Sequence, residues 1–238
     1  MEGVWRVWED REVLVALASY PGVSGNECEA FTLVFERFAG AEIVRVGERV
    51  GAVGGPGGGG TVERVYDDVL EPDVVLVPGG LGCARAAEDP ALRRWLCGVA
   101  PHCRWMAASS TGTVIVAAAG LLDDRAAATH WLAGDLLHQY GSAASPERIV
   151  EIGRVITCEG EITAMHVALL LVLRLAGPEE VARIRTELDR LGRGDEAVPR
   201  RSWWRRRKPV TSGPKRPRNP ELVAPDVVEF EPLRVHPR

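Results

Sequence analysis

The chain has 238 residues, of which 46% are hydrophobic and 26% charged, and its formal net charge is −4. These values are typical of a soluble globular protein with one domain and an appendage. No apolar run approaches the roughly 18 residues that a membrane span needs, and residues 1–11 carry acids without the apolar core of a secretory signal. We therefore expect a cytoplasmic protein.

The cysteines and lysines argue against several kinds of site. The cysteines are scattered and odd in number, with no CxxC pair and no histidine at zinc-ligand spacing, which argues against a disulfide framework or a structural zinc. The lysines are Lys208 and Lys215 near the C-terminus, so the folded part has no amine for Schiff-base chemistry. We expect neither a metal nor a cofactor. The five cysteines are Cys28, Cys83, Cys97, Cys103 and Cys158.

Charge is unevenly distributed along the chain. Residues 200–218 hold nine basic residues and no acid, so the remainder has 20 basic against 33 acidic residues, a net charge of −13. This basic stretch also contains Trp203 and Trp204, which can stack on bases or lie at a lipid headgroup. Two interpretations stay open: the tail contacts an anionic partner, or it is solvated and folds back on the acidic body.

The first third of the chain predicts a β-α unit and a hairpin. An apolar run over 13–18 is typical of a buried strand, helical spacing follows over 27–38, and a second strand is predicted over 41–46. Residues 51–60 are rich in glycine. They lack the Lys-Ser/Thr pair of a nucleotide-binding loop, so we interpret them as a hairpin connection.

The middle of the chain repeats the alternation of strand and helix. A continuous Val/Leu strand over 73–77 runs into Pro78-Gly79-Gly80, and a helix with proline at its first position follows over 89–99. A strand over 104–108 precedes a helix over 113–119.

The last third of the predicted domain is more helical. We predict a short strand over 125–128, a helix over 131–137, a strand pair over 149–157, a buried helix over 163–175 and an amphipathic helix over 178–191.

The alternation predicts an α/β fold. Strands that are apolar on both faces favour a mostly parallel sheet covered on both sides. From about residue 192 the composition changes to Arg, Pro and polar residues, so we place the domain at 1–195 and a largely irregular tail at 196–238. In such sheets ligands bind at the carboxyl ends of the strands.

The segment 106–122, MAASSTGTVIVAAAGLL, is the strongest functional signal. An apolar strand enters Ser-Ser-Thr-Gly and a small-residue helix follows at once, which is how several enzymes hold a nucleophile on a tight strand-to-helix turn with backbone N–H groups beside it. We select Ser110 as the candidate nucleophile.

These motifs together resemble one family. A PGG turn after a buried strand, a strand-STG-helix turn, AAGLLDDR and ATHW are similar to the PfpI-like (DJ-1/PfpI) superfamily over about 13–191. The branch is that of isonitrile hydratase and of the ligand-binding domain of AraC-type regulators. The resemblance implies a flavodoxin-like, doubly wound fold of the class I glutamine amidotransferase type, and a homodimer.

The nucleophile position departs from the family pattern. The resemblance implies a cysteine followed by Thr-Gly, whereas this chain has Ser110. A cysteine is partly thiolate near neutral pH, but a serine hydroxyl needs an adjacent base. Ser110 is a nucleophile, a hydrogen-bonding group, or the remnant of a lost nucleophile.

The resemblance also implies partners for Ser110. The family's acidic residue corresponds to Glu27, which we interpret either as a general acid/base or as a solvated first-turn glutamate. His130 corresponds to the family histidine and is either a base or a structural residue. The family's oxyanion donors correspond to the backbone N–H groups of Gly80, in the Gly79-Gly80 turn, and of Thr111.

A second departure covers residues 157–161 and His166. The resemblance implies a small-residue turn at 157–161 and commonly an aspartate at the position of His166. Cys158, Gly160, Glu161 and His166 therefore indicate a changed substrate or a rebuilt proton relay. A replacement thiol at Cys158 is one interpretation and an inert buried cysteine the other.

Two functions follow. The first is a cofactor-independent enzyme of hydro-lyase, hydrolase or isomerase type, acting on a small molecule through Ser110, Glu27 and His130. The second is a ligand sensor that has lost catalysis. Because the tail is too short and irregular for a helix-turn-helix domain, we expect no DNA-binding domain. A thiolate-dependent protease or deglycase is disfavoured by Ser110.

Overall fold

A computed structural model of the chain describes residues 12–56 and 58–192. The predicted tail 196–238, with its basic stretch, lies outside the described residues, as do residues 1–11. None of the helices described is both long enough and apolar enough to cross a membrane.

A seven-stranded sheet forms the centre of the domain, in the order β5-β2-β1-β6-β7-β9-β8. Its neighbouring strands are parallel except for the antiparallel pair β8–β9. A separate antiparallel hairpin pairs β3 with β4. The strands are β1 (Val13–Ala18), β2 (Ala41–Gly47), β3 (Gly51–Ala52), β4 (Thr61–Val62), β5 (Arg64–Val65), β6 (Val74–Val77), β7 (Trp105–Ser109), β8 (Ile149–Ile152) and β9 (Val155–Cys158).

The helices form two groups that cover the sheet. Helices α1, α6 and α7 pack together, and α2, α3, α4 and α5 form the other group. The predicted α/β architecture with a mostly parallel sheet is therefore confirmed. The helices are α1 (Gly25–Phe35), α2 (Cys83–Glu88), α3 (Pro90–Val99), α4 (Gly112–Ala118), α5 (Gly134–Gln139), α6 (Glu161–Ala176) and α7 (Pro178–Gly192).

Local chemistry sets where the helices begin. The Ser24 hydroxyl accepts from the Glu27 N–H at 3.4 Å and caps α1, which therefore begins at Gly25, two residues before the predicted start. Asp89 caps α3 by accepting from the Ala91 N–H at 2.8 Å, with proline at the first helical position as predicted.

The predicted strand over 125–128 is wrong. Only Ala127 forms a single bridge, to Ala144. Side chains take the place of a strand partner, because the Ala128 N–H donates to the Thr157 hydroxyl at 2.9 Å and its carbonyl accepts from the Thr113 hydroxyl at 2.8 Å. Hydroxyl groups thus satisfy a buried, non-strand backbone.

Candidate active site

The candidate site lies where several segments meet at the carboxyl ends of β6, β7 and β9. The turn after β6 carries Gly79 and Gly80, and the turn after β7 carries Ser110 and Thr111. The first turn of α1 brings Glu27, and the turn after β9 brings Gly160. The topology thus joins residues that are 82 positions apart at one sheet edge, as in Glu27 and Ser109.

Ser110 is held in a conformation that L-residues rarely adopt. Its φ is 55° in the left-handed region, and only 7% of the residue is exposed to solvent. The surroundings fix it, since the Ser110 N–H donates to the Cys158 carbonyl at 2.8 Å and the Ser110 carbonyl accepts from the Thr129 hydroxyl at 2.9 Å. Such strain costs on the order of 1–3 kcal/mol and occurs preferentially at functional sites.

Glu27 is a buried carboxyl, with 6% of the residue exposed. Burial is the main reason that its pKa is raised above 4.5, because desolvation disfavours the charged form. Side-chain hydrogen bonds with Ser109 and Ser110 lower the pKa, and the nearby charge of Glu161 raises it further. The interpretation of Glu27 as a solvated first-turn glutamate does not fit this burial.

Ser109 is a site residue that the sequence analysis missed. It is fully buried at the end of β7, and its hydroxyl donates to Glu27 Oε2 at 2.5 Å. The only available signal was a polar residue closing the apolar strand WMAAS, immediately before the candidate nucleophile. Ser109 thus holds the carboxyl, and the next residue, Ser110, also lowers its pKa.

The glycine turn lies against the start of α4. A Cβ added to Gly79 would lie 2.8 Å from Ser110 Cβ and 2.9 Å from the Thr111 nitrogen, so only glycine fits without displacement. The Gly80 N–H donates to the Thr111 hydroxyl at 2.9 Å, and that hydroxyl also lies 3.1 Å from the Gly80 carbonyl. The expected oxyanion donor Gly80 is therefore engaged by a neighbouring side chain.

His130 caps the short 3₁₀ helix Trp131–Ala133. Its Nδ1 accepts from the Leu132 N–H at 3.2 Å, so a neutral ring in this arrangement carries its proton on Nε2. Nδ1 is unavailable as a base while this bond holds. The adjacent Thr129 hydroxyl is the group in this segment that contacts the Ser110 backbone.

The residues at the end of β9 and after it differ in their relation to the site. A Cβ on Gly160 would lie 3.9 Å from Glu27 Oε1, so this turn borders the carboxyl. Cys158 is fully buried, and burial raises its pKa to about 12, which keeps it a thiol rather than a thiolate. Burial also lowers the pKa of His166, with the charges of Arg148 and Arg185 contributing.

The groups that converge can hold and move a proton. They comprise a buried carboxyl with a raised pKa, the Ser109 hydroxyl bonded to it, and the strained turn of Ser110, where backbone N–H groups lie at the start of a helix. Among the described residues there is no cluster of three or more His, Cys, Asp or Glu side chains placed to hold a metal ion.

Curated relatives match part of the chain. It is 31% identical over 124 residues to isonitrile hydratase of Pseudomonas putida, covering 52% of this chain and 54% of that protein. It is 31% identical over 108 residues to the glutathione-independent glyoxalase DJR-1.2 of Caenorhabditis elegans, covering 45% and 58%. It is 33% identical over 124 residues to the HTH-type transcriptional regulator CdhR of Pseudomonas aeruginosa, covering 50% and 37%. The chain thus spans about half the length of these relatives or less.

Solved structures share the fold. A THiJ/PfpI family protein from Pseudomonas syringae superposes with a TM-score of 0.70 at 22% identity, covering 81% of this chain and 78% of that one. Schizosaccharomyces pombe DJ-1 gives 0.63 at 21% identity, covering 74% and 98%. Residues 11–174 match the DJ-1/PfpI family, well over half of the chain. Motifs, sheet topology and sequence match agree, and the chain belongs to the DJ-1/PfpI family.

Proposed function

We propose that this protein is a cofactor-independent enzyme that adds the elements of water to an electrophilic carbon of a small molecule, with Ser110 as nucleophile and Glu27 as its proton partner. The observation that carries the proposal is the buried Glu27 carboxyl, which accepts a hydrogen bond from Ser109 directly before Ser110 and whose pKa is lowered by Ser110. A carboxyl whose pKa is raised can both accept and return a proton near neutral pH. We further propose that it works in the cytoplasm as a homodimer.

Isonitriles are the favoured substrate class because of the resemblance to isonitrile hydratase. The Ser110 oxygen attacks the terminal carbon of R–NC, and its proton passes through Glu27 to that carbon, which gives an imidate, Ser110–O–CH=N–R. Water then adds to the imidate carbon and the bond to Ser110 breaks. The products are the N-substituted formamide, R–NH–CHO, and the free serine, so water is the only co-reactant.

The division of roles follows from the contacts. Glu27 is the proton acceptor because the His130 Nδ1 is bonded to the Leu132 N–H. Ser109 is a positioning residue, since its hydroxyl holds Glu27 Oε2 from a site that solvent does not reach. The Thr111 N–H, at the start of α4, is the oxyanion donor adjacent to Ser110.

A second function is favoured by one specific observation. The Gly80 N–H is already bonded to the Thr111 hydroxyl, so one of the two oxyanion donors is engaged. A family member in this state, with serine at the nucleophile position, fits a catalytically reduced ligand sensor. The partial similarity to the regulator CdhR also favours the ligand-sensor function.

The test measures turnover of an alkyl isonitrile and of a 2-oxoaldehyde by proton NMR of the products. The enzyme hypothesis expects formamide or hydroxy-acid formation that falls at least about 100-fold in both Ser110→Ala and Glu27→Gln. Ser145→Ala, which removes a hydroxyl bonded to the Glu147 N–H, is the matched control and should retain activity.

A further variant separates the two functions. If the natural protein binds these compounds without turnover and Ser110→Cys turns them over, the sensor hypothesis is favoured, because a restored thiol then supplies the missing nucleophile. Full activity in Ser110→Ala or in Glu27→Gln would refute the proposed catalytic roles.

A further inference from the structure

A second cleft lies at the opposite end of α4 from Ser110. Its volume is about 240 Å³, and it is formed by the turn after α4 and the segment that follows α5. Its lining is mostly polar or small. The residues that line it are Ala117, Gly120, Leu122, Asp123, Asp124, Tyr140 and Ser142.

The Ser142 hydroxyl is the first observation that points to a ligand in this cleft. The residue is 1% exposed, and its hydroxyl oxygen is the one buried side-chain N or O atom of the described residues that has no hydrogen-bond partner. An unpartnered buried polar group costs about 1–3 kcal/mol, and nearly all such groups in proteins are paired with protein or water, so an orphan hydroxyl points to a partner from outside the chain. Ser142 is one of the residues that line the cleft, and its hydroxyl needs such a partner.

Two adjacent aspartates line the same cleft. Asp123 and Asp124 both have left-handed backbone, with φ of 51° and 57°, in a turn closed by the Arg125 N–H and the Leu122 carbonyl at 3.0 Å. A Cβ on Gly141 would lie 2.5 Å from Asp124 Oδ1. The Asp124 carboxylate therefore lies against the residue that precedes Ser142.

The local electrostatics favour a cation. The turn follows directly on the C-terminal end of α4, where the carbonyl groups carry the negative end of the helix dipole. Two carboxylates placed there repel the negative end of the dipole and also repel each other. Among the described residues that line the cleft, none has a basic side chain. A bound cation relieves both sources of repulsion.

We propose that this cleft binds a hydrated divalent cation of the Ca²⁺ class through Asp123, Asp124 and the Ser142 hydroxyl. All three supply oxygen ligands, which suit Ca²⁺ rather than a metal that prefers nitrogen or sulfur. The cleft is larger than a bare ion, so water completes the coordination shell. With only two carboxylates, the dissociation constant is expected at about 0.1–1 mM, so the site fills in vitro at millimolar Ca²⁺ and not at the concentrations to which cytosolic Ca²⁺ sensors respond.

The experiment titrates the full chain with CaCl₂ by calorimetry and follows its melting temperature in CaCl₂ against EDTA. Saturable binding and a rise of about 3 °C at 10 mM Ca²⁺ are expected. Asp123→Asn and Asp124→Asn should each weaken binding at least about 10-fold, since asparagine tolerates the left-handed backbone but lacks the charge. Ser142→Ala should weaken it less, because it removes one neutral ligand.

A matched pair of aspartates provides the control. Asp67 and Asp68 are also adjacent and exposed, but they belong to the 3₁₀ helix Tyr66–Asp68 and do not line this cleft. Asp68→Asn should leave Ca²⁺ binding unchanged. Absence of saturable binding, or equal affinity in Asp124→Asn and in the natural chain, would overturn the proposal and leave Ser142 partnered by water alone.

Discussion

At the scale of single residues, the two consecutive serines at the end of β7 have different roles. Ser109 faces the Glu27 carboxyl from full burial, and Ser110 occupies the strained turn that follows. A single hydroxyl could not both hold the carboxyl and remain free to attack a substrate. Because the carboxyl has Ser109 as its partner, the Ser110 hydroxyl is not needed to hold it and can contact a ligand.

The raised pKa of Glu27 makes stability depend on pH. In the unfolded chain Glu27 titrates near 4.5, whereas in the folded chain it keeps its proton to higher pH. Stability from this residue is therefore complete below pH 4.5 and is lost as the pH rises toward the folded value, by about 1.4 kcal/mol for each unit of the shift. Urea unfolding from pH 4 to 8 should show this loss in the natural chain but not in Glu27→Gln.

Ser109→Ala extends the same experiment. The Ser109 hydrogen bond lowers the pKa of Glu27, so its removal should raise that pKa and extend the loss of stability to higher pH. Ser19→Ala is the control, since Ser19 is a similarly buried serine whose hydroxyl bonds to the Leu17 carbonyl. Identical pH profiles for the natural chain and Glu27→Gln would show that the carboxyl titrates as if exposed.

The roles of single residues could be predicted from this sequence only in part. Ser110 could be selected because a strand-turn-helix pattern surrounds it, and Glu27 because the family resemblance supplied it. Ser109 could not, since its role depends on Glu27, which lies 82 residues away and arrives only when β7 and α1 are both in place. Sequence spacing carries no information about such a contact.

At the scale of elements, the turn after β6 and the start of α4 approach each other too closely for any side chain at Gly79. Gly79→Ala brings its Cβ within 3 Å of both Ser110 Cβ and the Thr111 nitrogen. We expect a loss of about 1–3 kcal/mol in the free energy of unfolding, because backbone must shift to relieve the overlap. Urea unfolding measures it.

A second glycine provides the control for that experiment. Gly98 lies in α3 with nothing within 4 Å of its added Cβ. Gly98→Ala should instead stabilise the chain by about 0.5–1 kcal/mol, since alanine is the better helix former. The same sign of change in both variants would mean that the contact at Gly79 does not decide the outcome.

Elements with a strong apolar pattern were predictable and the others were not. Strand β1 has the predicted bounds because its six residues are continuously apolar. The six-residue helix α2 was not predicted, since CARAAE after the glycine turn has too few apolar positions for a helical period. The strand expected over 125–128 failed because small apolar residues there pack in the core while threonine hydroxyls satisfy the backbone.

At the scale of the whole molecule, large apolar side chains lie exposed beside site residues. Trp131 is 81% exposed next to His130, and Leu81 is 86% exposed next to Gly80. Burial of such side chains against a second chain would remove apolar area from water, which is favourable. They fit the expected homodimer.

Sedimentation equilibrium should therefore give twice the chain mass of 25.8 kDa. Trp131→Ser should shift the population toward the single chain, because it removes apolar area from the proposed interface. Leu70→Ser is the control, since Leu70 is also well exposed (60%) but lies elsewhere, in a cleft that it lines together with Tyr66 and Trp95. A natural chain that sediments at 25.8 kDa at all concentrations would contradict the dimer.

The hydrogen bond between the Gly80 N–H and the Thr111 hydroxyl determines how much binding energy the oxygen atom of a ligand can gain from the Gly80 N–H. A neutral carbonyl would replace one uncharged acceptor by another and gain almost nothing. An oxygen that carries negative charge would gain, because charge-assisted hydrogen bonds are about twice as strong. Thr111 therefore competes with a ligand for the Gly80 N–H, and this position favours developing negative charge on a bound molecule over the neutral form of that molecule.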